Sequence, residues 1–243
     1  MIEVRNLSAF YGKQEALSGI NLTFEKGKFY AVVGRNSSGK STLVHCLSSL
    51  IKYDGEILLD GKNLKDYSPY DRAQRVSILP QQVLSVPFTV STLVGFGRNP
   101  YGDIRTSGAD KVTKAVQLTG ISKLCDKKVN QLSGGERQLC YFAMNLCQDS
   151  DVMILDEPTS NLDVEHEAKI LSLAKDRCKK GKTVICVIHN LSQAIKYADD
   201  FVILDNGRNV FCGTKEDCLE KKMIEKHFGV RKFEDNGEIF FSV

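Results

Sequence analysis

One nine-residue stretch carries the clearest chemistry in the chain. Residues 34–42 have the spacing GxxxxGK[ST]. Its glycines allow a tight turn in which backbone N–H groups face a phosphate chain, Lys40 can reach the terminal phosphates, and the Ser41 hydroxyl suits Mg²⁺. The pattern therefore predicts a site for the phosphates of a nucleotide. The residues of this predicted site are Gly34, Arg35, Asn36, Ser37, Ser38, Gly39, Lys40, Ser41 and Thr42.

The segments on either side of this loop fit the same interpretation. Residues 28–33 are mostly apolar and end in β-branched residues, which is typical of a buried strand, and residues 42–50 place apolar residues at helical spacing. A strand, a glycine loop and a helix in this order are what a P-loop requires, and the helix N-terminus adds a partial positive charge. The alternative is a Gly/Ser-rich surface loop with a chance lysine, and both flanks argue against it.

A second group of polar residues follows another apolar strand. Residues 152–155 read Val-Met-Ile-Leu and lead into Asp156 and Glu157. In parallel sheets, ligands bind at the carboxyl ends of the strands. Asp156 is placed to hold Mg²⁺, directly or through water, and Glu157 is placed to orient and polarise an attacking water. Taken alone, the pattern could equally be a strand that ends in solvated acids; the P-loop weighs against that alternative.

The third motif is Leu132-Ser-Gly-Gly-Glu-Arg-Gln138, which comes just before a helical run from Arg137 to Cys147. A serine hydroxyl, glycine N–H groups and a helix N-terminus together predict a second anion site. Taken alone, the motif could be a serine N-cap after a flexible turn. The residues of the predicted second site are Ser133, Gly134, Gly135 and Glu136.

The elements around these motifs predict an α/β fold with a P-loop NTPase (RecA-like) core. Alternating runs in the first 27 residues predict an N-terminal antiparallel β-subdomain, and helical periodicity predicts an inserted α-helical subdomain over residues 82–150. The β and α patterns then alternate again, which favours a parallel sheet, so the core spans 1–81 and 151–230. Asn-Gly turns predict two hairpins, at 201–211 and 232–241, and the second belongs to a C-terminal extension over 231–243.

Composition narrows the classes of function. The net charge is only +3 over 243 residues, with lysine and arginine spread along the chain, so there is no electrostatic case for a nucleic-acid partner. No run approaches the roughly 18 apolar residues of a membrane helix, and the N-terminus has no secretory pattern. The eight cysteines contain no CxxC pair, which favours small buried residues in a reducing compartment over a zinc or redox site.

The three motifs, in this order, resemble those of the ATP-binding cassette family, the nucleotide-binding subunits of ABC transporters. The resemblance covers roughly residues 1–230, and residues 132–136 match the family signature. It implies an ATPase that uses ATP and Mg²⁺, and a homodimer in which the P-loop of one cassette and the signature of the other hold one ATP. It also implies integral membrane permease subunits, an extracytoplasmic substrate-binding protein that acts indirectly, and a location at the cytoplasmic face of the cell membrane.

The same resemblance assigns further positions. Tyr11 matches the aromatic residue that stacks on adenine, although it could also be a half-buried strand tyrosine. Gln81 matches the Q-loop glutamine that senses Mg²⁺ and the attacking water. Gln82, the next residue, is the alternative for this position. Residues 160–163, Ser-Asn-Leu-Asp, match the D-loop at the dimer interface, and His189 matches the switch histidine that contacts the γ-phosphate. The catalytic set so implied is Glu157, His189 and Gln81; the metal set is Ser41, Gln81 and Asp156; and Asp163 belongs to the nucleotide site.

The sequence departs from the family pattern at two places. Residues 35–38 read Arg-Asn-Ser-Ser where many relatives have Pro-Asn-Gly or Gly-Ser-Gly, and Asn190 stands where aspartate is common. Because backbone N–H groups make the phosphate contacts, serine should serve if the local φ angles suit it. We expect neither departure to abolish hydrolysis, and the presence of Glu157 and His189 argues against a binding module without turnover.

One segment bears on the subtype of transporter. Residues 89–101 resemble the V-x-x-GR-x-P segment of cassettes from importers of iron-siderophores, haem and cobalamin, and the Leu-Pro-Gln Q-loop and residues 189–194 favour the same subfamily. This implies import of a ferric siderophore, with haem, cobalamin or a metal ion as alternatives and a non-transport ABC ATPase as the less favoured one. Gly97-Arg-Asn-Pro100 could also be only a loop that ends a helix.

Overall fold

The computed structural model describes residues 1–104, 108–160, 162–235 and 237–242. The strands are β1 (Ile2–Tyr11), β2 (Gln14–Phe24), β3 (Phe29–Gly34), β4 (Asp54–Leu59), β5 (Lys62–Asn63), β6 (Val76–Leu79), β7 (Val152–Asp156), β8 (Thr183–Val187), β9 (Asp200–Asp205), β10 (Arg208–Thr214), β11 (Arg231–Asp235) and β12 (Glu238–Ser242). The helices are α1 (Lys40–Leu47), α2 (Pro69–Arg75), α3 (Val90–Gly95), α4 (Gly108–Thr119), α5 (Gly134–Gln148), α6 (Val164–Cys178), α7 (Leu191–Tyr197), α8 (Lys215–Glu220) and α9 (Met223–Phe228).

A six-stranded sheet in the order β10-β9-β3-β8-β7-β6 lies at the centre. Its strands are parallel except for β10, which pairs with β9 in an antiparallel hairpin. Every residue of β3, β7 and β8 is buried. These strands are apolar almost throughout because both faces of the sheet are covered, as is usual for parallel sheets. The carboxyl ends of β3 and β7 bring the P-loop and the two acidic residues to the same edge.

A four-stranded antiparallel sheet, in the order β2-β1-β4-β5, contains the N-terminal strands. Its apolar residues share one core cluster with α1 and with one face of the central sheet, including Leu7, Phe24, Leu43 and Ile154. The alternation of buried and exposed residues at the end of β2, from Ile20 to Phe24, fits an antiparallel sheet with one covered face. This core fixes the P-loop helix between the two sheets.

Helices α3, α4 and α5 cover the other end of the molecule. They belong to a second core cluster with α6 and the opposite face of the central sheet, in which Leu93, Val116, Phe142 and Ile170 are buried. The α/β fold with an N-terminal antiparallel sheet and a helical insertion is therefore as the sequence predicts. The short helices α2, α8 and α9 have no counterpart in the sequence prediction, because six or seven residues give too few repeats for a periodicity.

The chain described by the structure closes with a separate two-stranded antiparallel sheet, β11 and β12. Ile239 and Phe241 of β12 pack against the second core cluster. Asn236, part of the predicted Asn-Gly turn, lies outside the described residues. Across the described ranges, no helix combines the length and apolar character that a bilayer crossing needs.

Candidate nucleotide site

The P-loop joins the end of β3 to the start of α1. A Cβ atom at Gly34 would lie 2.4 Å from the Leu204 carbonyl oxygen, and one at Gly39 would lie 2.7 Å from a Leu17 methyl carbon. Gly39, the N-cap of α1, also has φ 102°, which strongly favours glycine. Both glycines are therefore required by the packing of the loop against its surroundings.

Two side chains of this loop are placed to bind an anion. Lys40 is 6% exposed, and its Nζ donates to the carbonyl oxygens of Gly34 and Arg35, each at 2.9 Å. Burial lowers the pKa of Lys40, whereas the negative charges of Glu157 and Asp156 partly offset this effect by raising it. The Ser38 hydroxyl is buried, and no residue in the described part of the chain forms a hydrogen bond with it. A phosphate group would offset both the buried charge and the unpaired hydroxyl, so the loop fits a nucleotide.

The predicted metal ligands meet beside the P-loop. The Ser41 hydroxyl donates to Asp156 Oδ1 at 3.1 Å, and Asp156 is 1% exposed. A hydroxyl and a carboxylate are the hard oxygen ligands that Mg²⁺ prefers, so these residues fit the cation. Gln81, the third predicted ligand, instead hydrogen-bonds Glu157.

His45 is a residue of this site that the sequence prediction missed. Its Nε2 lies 3.5 Å from Asp156 Oδ2, the carboxylate oxygen other than the one that Ser41 contacts. His45 belongs to no motif. The only signal for it was its spacing of four residues from Ser41 on α1, which places both on one helix face.

The three predicted catalytic residues converge on one carboxylate. Gln81 Nε2 donates to Glu157 Oε2 at 2.7 Å, and His189 Nε2 lies 2.5 Å from Glu157 Oε1. Gln81, rather than Gln82, makes this contact. Glu157 has φ 49°, a left-handed conformation that costs a non-glycine residue energy and is concentrated at functional sites.

A cavity of about 800 Å³ connects these groups. Tyr11 is the last residue of β1, 53% exposed, and it lies at the wall of the cavity, so its position in a strand is compatible with a place in the site. The wall also contains residues that no motif indicated, among them Gln14 and the Asn206-Gly207 turn between β9 and β10. The predicted residues in the lining are Tyr11, Asn36, Ser37, Ser38, Gly39, Lys40, Ser41, Thr42, Gln81, Glu157 and His189.

The second predicted anion site forms the N-terminus of α5. Ser133 Oγ accepts from the Glu136 N–H at 3.3 Å, and the Glu136 carboxylate accepts from the Ser133 N–H at 2.9 Å, a reciprocal capping box. These bonds lower the pKa of Glu136. The cap explains why α5 begins at Gly134 rather than at Arg137. Among the residues that the structure describes, none outside the immediate chain neighbours and the helix backbone would lie within 4 Å of a Cβ at Gly134.

The two anion sites do not meet within one chain. Among the described residues that line the P-loop cavity, none comes from the Ser133–Glu136 motif. Asp163 does not line it either; this residue caps α6, where Oδ1 accepts from the His166 N–H at 2.9 Å. Asn161 of the predicted D-loop lies outside the described residues.

Comparison with known proteins agrees with this geometry. Residues 17–160 match the family model described as ABC transporter. The chain belongs to the ABC transporter family. The prediction of a cassette ATPase from the P-loop, the Asp-Glu pair and the signature is thereby confirmed, and so is nucleotide as the ligand class.

Several relatives of this ABC cassette have named roles. It is 38% identical to "Petrobactin import ATP-binding protein YclP" of Bacillus subtilis, over 93% of this chain and 92% of that protein. It is 36% identical to "Ferric enterobactin transport ATP-binding protein FepC" of Escherichia coli, over 93% and 86% of the two chains. A solved structure titled "Dimeric Structure of MJ0796, a Bacterial ABC Transporter Cassette" matches with TM-score 0.80 and 26% identity, over 88% of this chain and 99% of that one.

Proposed function

We propose that this protein is the ATP-hydrolysing nucleotide-binding subunit of an importer that carries an iron-siderophore-type substrate. The observation that carries the hydrolysis is the convergence of Gln81 and His189 on the Glu157 carboxylate at the wall of the P-loop cavity. A phosphate-binding loop alone would support only nucleotide binding. A carboxylate held by two polar side chains beside it supports turnover.

The residues of the chain divide the work of binding and hydrolysis. Lys40, Ser38 and the backbone N–H groups of the loop bind the phosphates, and Tyr11 stacks on the base. Ser41 and Asp156 hold Mg²⁺, which when bound neutralises charge on the terminal phosphates. Glu157 accepts a hydrogen bond from the attacking water and orients it in line with the γ-phosphate.

The partners of Glu157 have positioning roles in this proposal. His189 Nε2 and Gln81 Nε2 hold the two carboxylate oxygens, which fixes the direction of the lone pairs that meet the water. When nucleotide is bound, His189 contacts the γ-phosphate and Gln81 reaches toward the metal and the water. The hydrogen bonds to Glu157 must then be exchanged, so the loops that carry these residues respond to the presence of the γ-phosphate.

A homodimer completes the site. The predicted second anion site is the N-terminus of α5, formed by Ser133, Gly134, Gly135 and Glu136. In this chain it lies away from the P-loop cavity. A second copy placed head to tail would bring it to the γ-phosphate, and the D-loop, with Asp163, would lie at the interface. The dimeric cassette structure to which this fold is similar supports the arrangement.

The importer, its cargo and its location follow from the relatives. The names of two similar proteins state import of petrobactin and transport of ferric enterobactin, and a third, from Pseudomonas aeruginosa, states import of hemin at 36% identity. We therefore place the protein at the cytoplasmic face of the membrane, on permease subunits that are served by an extracytoplasmic binding protein. The core (1–81 and 151–230), the helical insertion (82–150) and the C-terminal extension (231–243) are its working parts.

Two experiments test the proposal at different levels. Replacing Lys40 with alanine should remove nucleotide binding and turnover, and retained hydrolysis would refute the phosphate site. A deletion strain should lose uptake of labelled ferric siderophore while uptake of labelled haem and cobalamin continues. Loss of haem or cobalamin uptake in place of siderophore uptake would change the cargo but leave the ATPase assignment intact.

A further inference from the structure

The C-terminal hairpin has an outer strand whose sequence is complementary to itself. The residues of β11 read Arg231-Lys-Phe-Glu-Asp235, with two cations before Phe233 and two anions after it. All five residues are exposed. An exposed strand edge offers unpaired backbone N–H and C=O groups to another chain, and proteins usually protect such edges with charge. Here two cations are followed by two anions, an order that favours a partner strand with the reverse order of charges opposite it.

We infer that β11 pairs antiparallel with β11 of a second copy of this chain, centred on Phe233. In that register Arg231 lies opposite Asp235 of the other copy, and Lys232 lies opposite its Glu234. The two Phe233 side chains meet on the two-fold axis. Each opposite-charge pair occurs twice, which is the self-complementarity that an isologous two-fold interface requires. A parallel arrangement would instead place like charges side by side.

The placement of the hairpin leaves this edge free. Strand β12 is the one that contacts α7, and its Ile239 and Phe241 pack against the protein core. Strand β11 pairs only with β12 among the described strands, so its other edge faces away from β12. The Lys232 and Glu234 side chains contact each other within the strand at 3.6 Å and are 34% and 59% exposed, so both can be reached by a partner.

The apolar residues of the hairpin support the same partner. Phe233 lies directly opposite Phe240 in the β11–β12 register, on the face away from Ile239 and Phe241. The two rings are 52% and 43% exposed. Pairing of two hairpins would produce a four-stranded sheet on which four phenylalanine rings form one continuous row. Aromatic cross-strand neighbours stabilise a sheet, whereas an isolated two-stranded hairpin is marginal.

This contact goes beyond the nucleotide-dependent dimer of the proposed function, because it needs no ATP. The hairpin rests on α7, whose N-cap Asn190 directly follows His189. A closed dimer requires both contacts to share one two-fold axis; two different axes would generate open chains of cassettes. The hairpins would therefore keep two cassettes together while the ATP sites open.

Charge reversal tests the pairing with a matched rescue. In sedimentation at about 0.5 mM protein without nucleotide, we expect a reversible dimer that is weakened at least about tenfold in Kd by Lys232→Glu or by Glu234→Lys. Mixing the two single variants should restore the dimer, because every 232–234 pair between the chains is then opposite in charge. Restoration by mixing cannot come from the contact within one strand.

Cysteine substitution tests the register. Phe233→Cys should give a disulfide-linked dimer under mild oxidation without nucleotide, because the two residues face each other across the axis. Phe240→Cys is the matched control, since three strand spacings separate its two copies by roughly 14 Å and no bridge can form.

A monomer at 0.5 mM, equal behaviour of the mixed and single variants, or equal cross-linking at positions 233 and 240 would each overturn the inference. Retained ATP hydrolysis in these variants would show that the proposed function stands regardless of the outcome. Chains longer than a dimer in the presence of ATP would also contradict the shared axis.

Discussion

Glu157 and His189 form the closest polar pair in the nucleotide site, with 2.5 Å between Oε1 and Nε2. They reach this distance from the ends of two neighbouring parallel strands, β7 and β8, which pair in register from Val152–Thr183 to Asp156–Val187. Adjacent strands end at the same edge of the sheet, so Glu157, one residue beyond β7, and His189, two residues beyond β8, are brought together as a base and its positioning partner. The pair is therefore a direct consequence of the sheet order.

Replacing Glu157 with glutamine tests this pair. The amide keeps the size of the side chain and can still accept a hydrogen bond, but it cannot act as a carboxylate toward water. We expect ATP turnover to fall by about 10²-fold or more while ATP binding persists, so that an ATP-bound dimer accumulates. Glu216→Gln, an exposed change on α8, should leave turnover unchanged. Undiminished hydrolysis by the Glu157 variant would remove its assigned role.

The motif residues of the site follow from the sequence because each chemical role requires particular residue types at fixed spacing. Gly34, Lys40 and Glu157 were found in this way. His45 and Asn206 were not, because their positions depend on how α1 and the β9–β10 turn pack against distant segments. A histidine contact across 111 residues of chain, as from His45 to Asp156, leaves no local pattern.

Arg98 belongs to the segment whose sequence indicates the subfamily, but in the structure its role is in packing. By its resemblance, the segment 89–101 indicates the subfamily. In the structure its arginine is 2% exposed and binds the Cys147 carbonyl oxygen at the end of α5. Residues 97–100, for which the sequence left a helix-ending loop as the alternative, lie in a 3-10 helix, Phe96–Tyr101, that directly follows α3. Burial of an arginine is a tertiary property that spacing alone does not reveal.

Ser38→Ala should separate stability from affinity. The buried hydroxyl has no hydrogen-bond partner among the described residues, and burying an unpaired polar group costs about 1–3 kcal/mol. Its removal should raise the free energy of unfolding without nucleotide by about 1 kcal/mol. If the hydroxyl binds phosphate, the same change should weaken ATP binding about tenfold. Thermal unfolding and calorimetric titration measure the two effects; unchanged affinity would place the hydroxyl away from the phosphates.

Ser37→Gly should relieve backbone strain in the P-loop. Ser37 has φ 62°, a left-handed conformation that costs a non-glycine residue about 1–2 kcal/mol. Glycine also increases the conformational entropy of the unfolded chain, which lowers the free energy of unfolding by about 0.4–1 kcal/mol. We therefore expect a net increase in the free energy of unfolding of roughly 0.5–1 kcal/mol and a Tm higher by about 1–3 °C. Ser91→Gly, in the first turn of α3, should lower the Tm instead. A lower Tm for the Ser37 variant would contradict the strain.

Gly134→Ala tests whether the signature acts on another chain. A Cβ at this position would meet no atom of another described segment within 4 Å, so the fold should be as stable as before or more stable by up to about 1 kcal/mol. If a second copy brings nucleotide to this helix end, the added methyl should lower ATP hydrolysis at least about tenfold. Gly95→Ala, whose Cβ would make an ordinary contact at 3.7 Å with Ile104 among the described residues, is the matched control. Full activity of the Gly134 variant would argue against the composite site.

Arg98→Lys tests the structural role of the subfamily segment. The guanidinium donates to Asp103 through Nε at 3.0 Å and to the Cys147 carbonyl oxygen through Nη1 at 3.0 Å, and it stacks 3.8 Å from the Tyr101 ring centre. An ammonium cannot reproduce this planar set of contacts, and it would leave a buried acceptor without its donor.

We expect the Arg98 change to lower the free energy of unfolding by about 2–4 kcal/mol, which thermal denaturation would record as a Tm lower by roughly 4–12 °C. Arg75→Lys provides the comparison, because that side chain is 50% exposed and its ion pair with Asp151 lies at the surface, where such pairs contribute about 0–1 kcal/mol. Equal Tm values for the two variants would show that the Arg98 contacts do not hold the segment to the end of α5. A large loss confined to Arg98 would show that its buried contacts hold the segment to the end of α5.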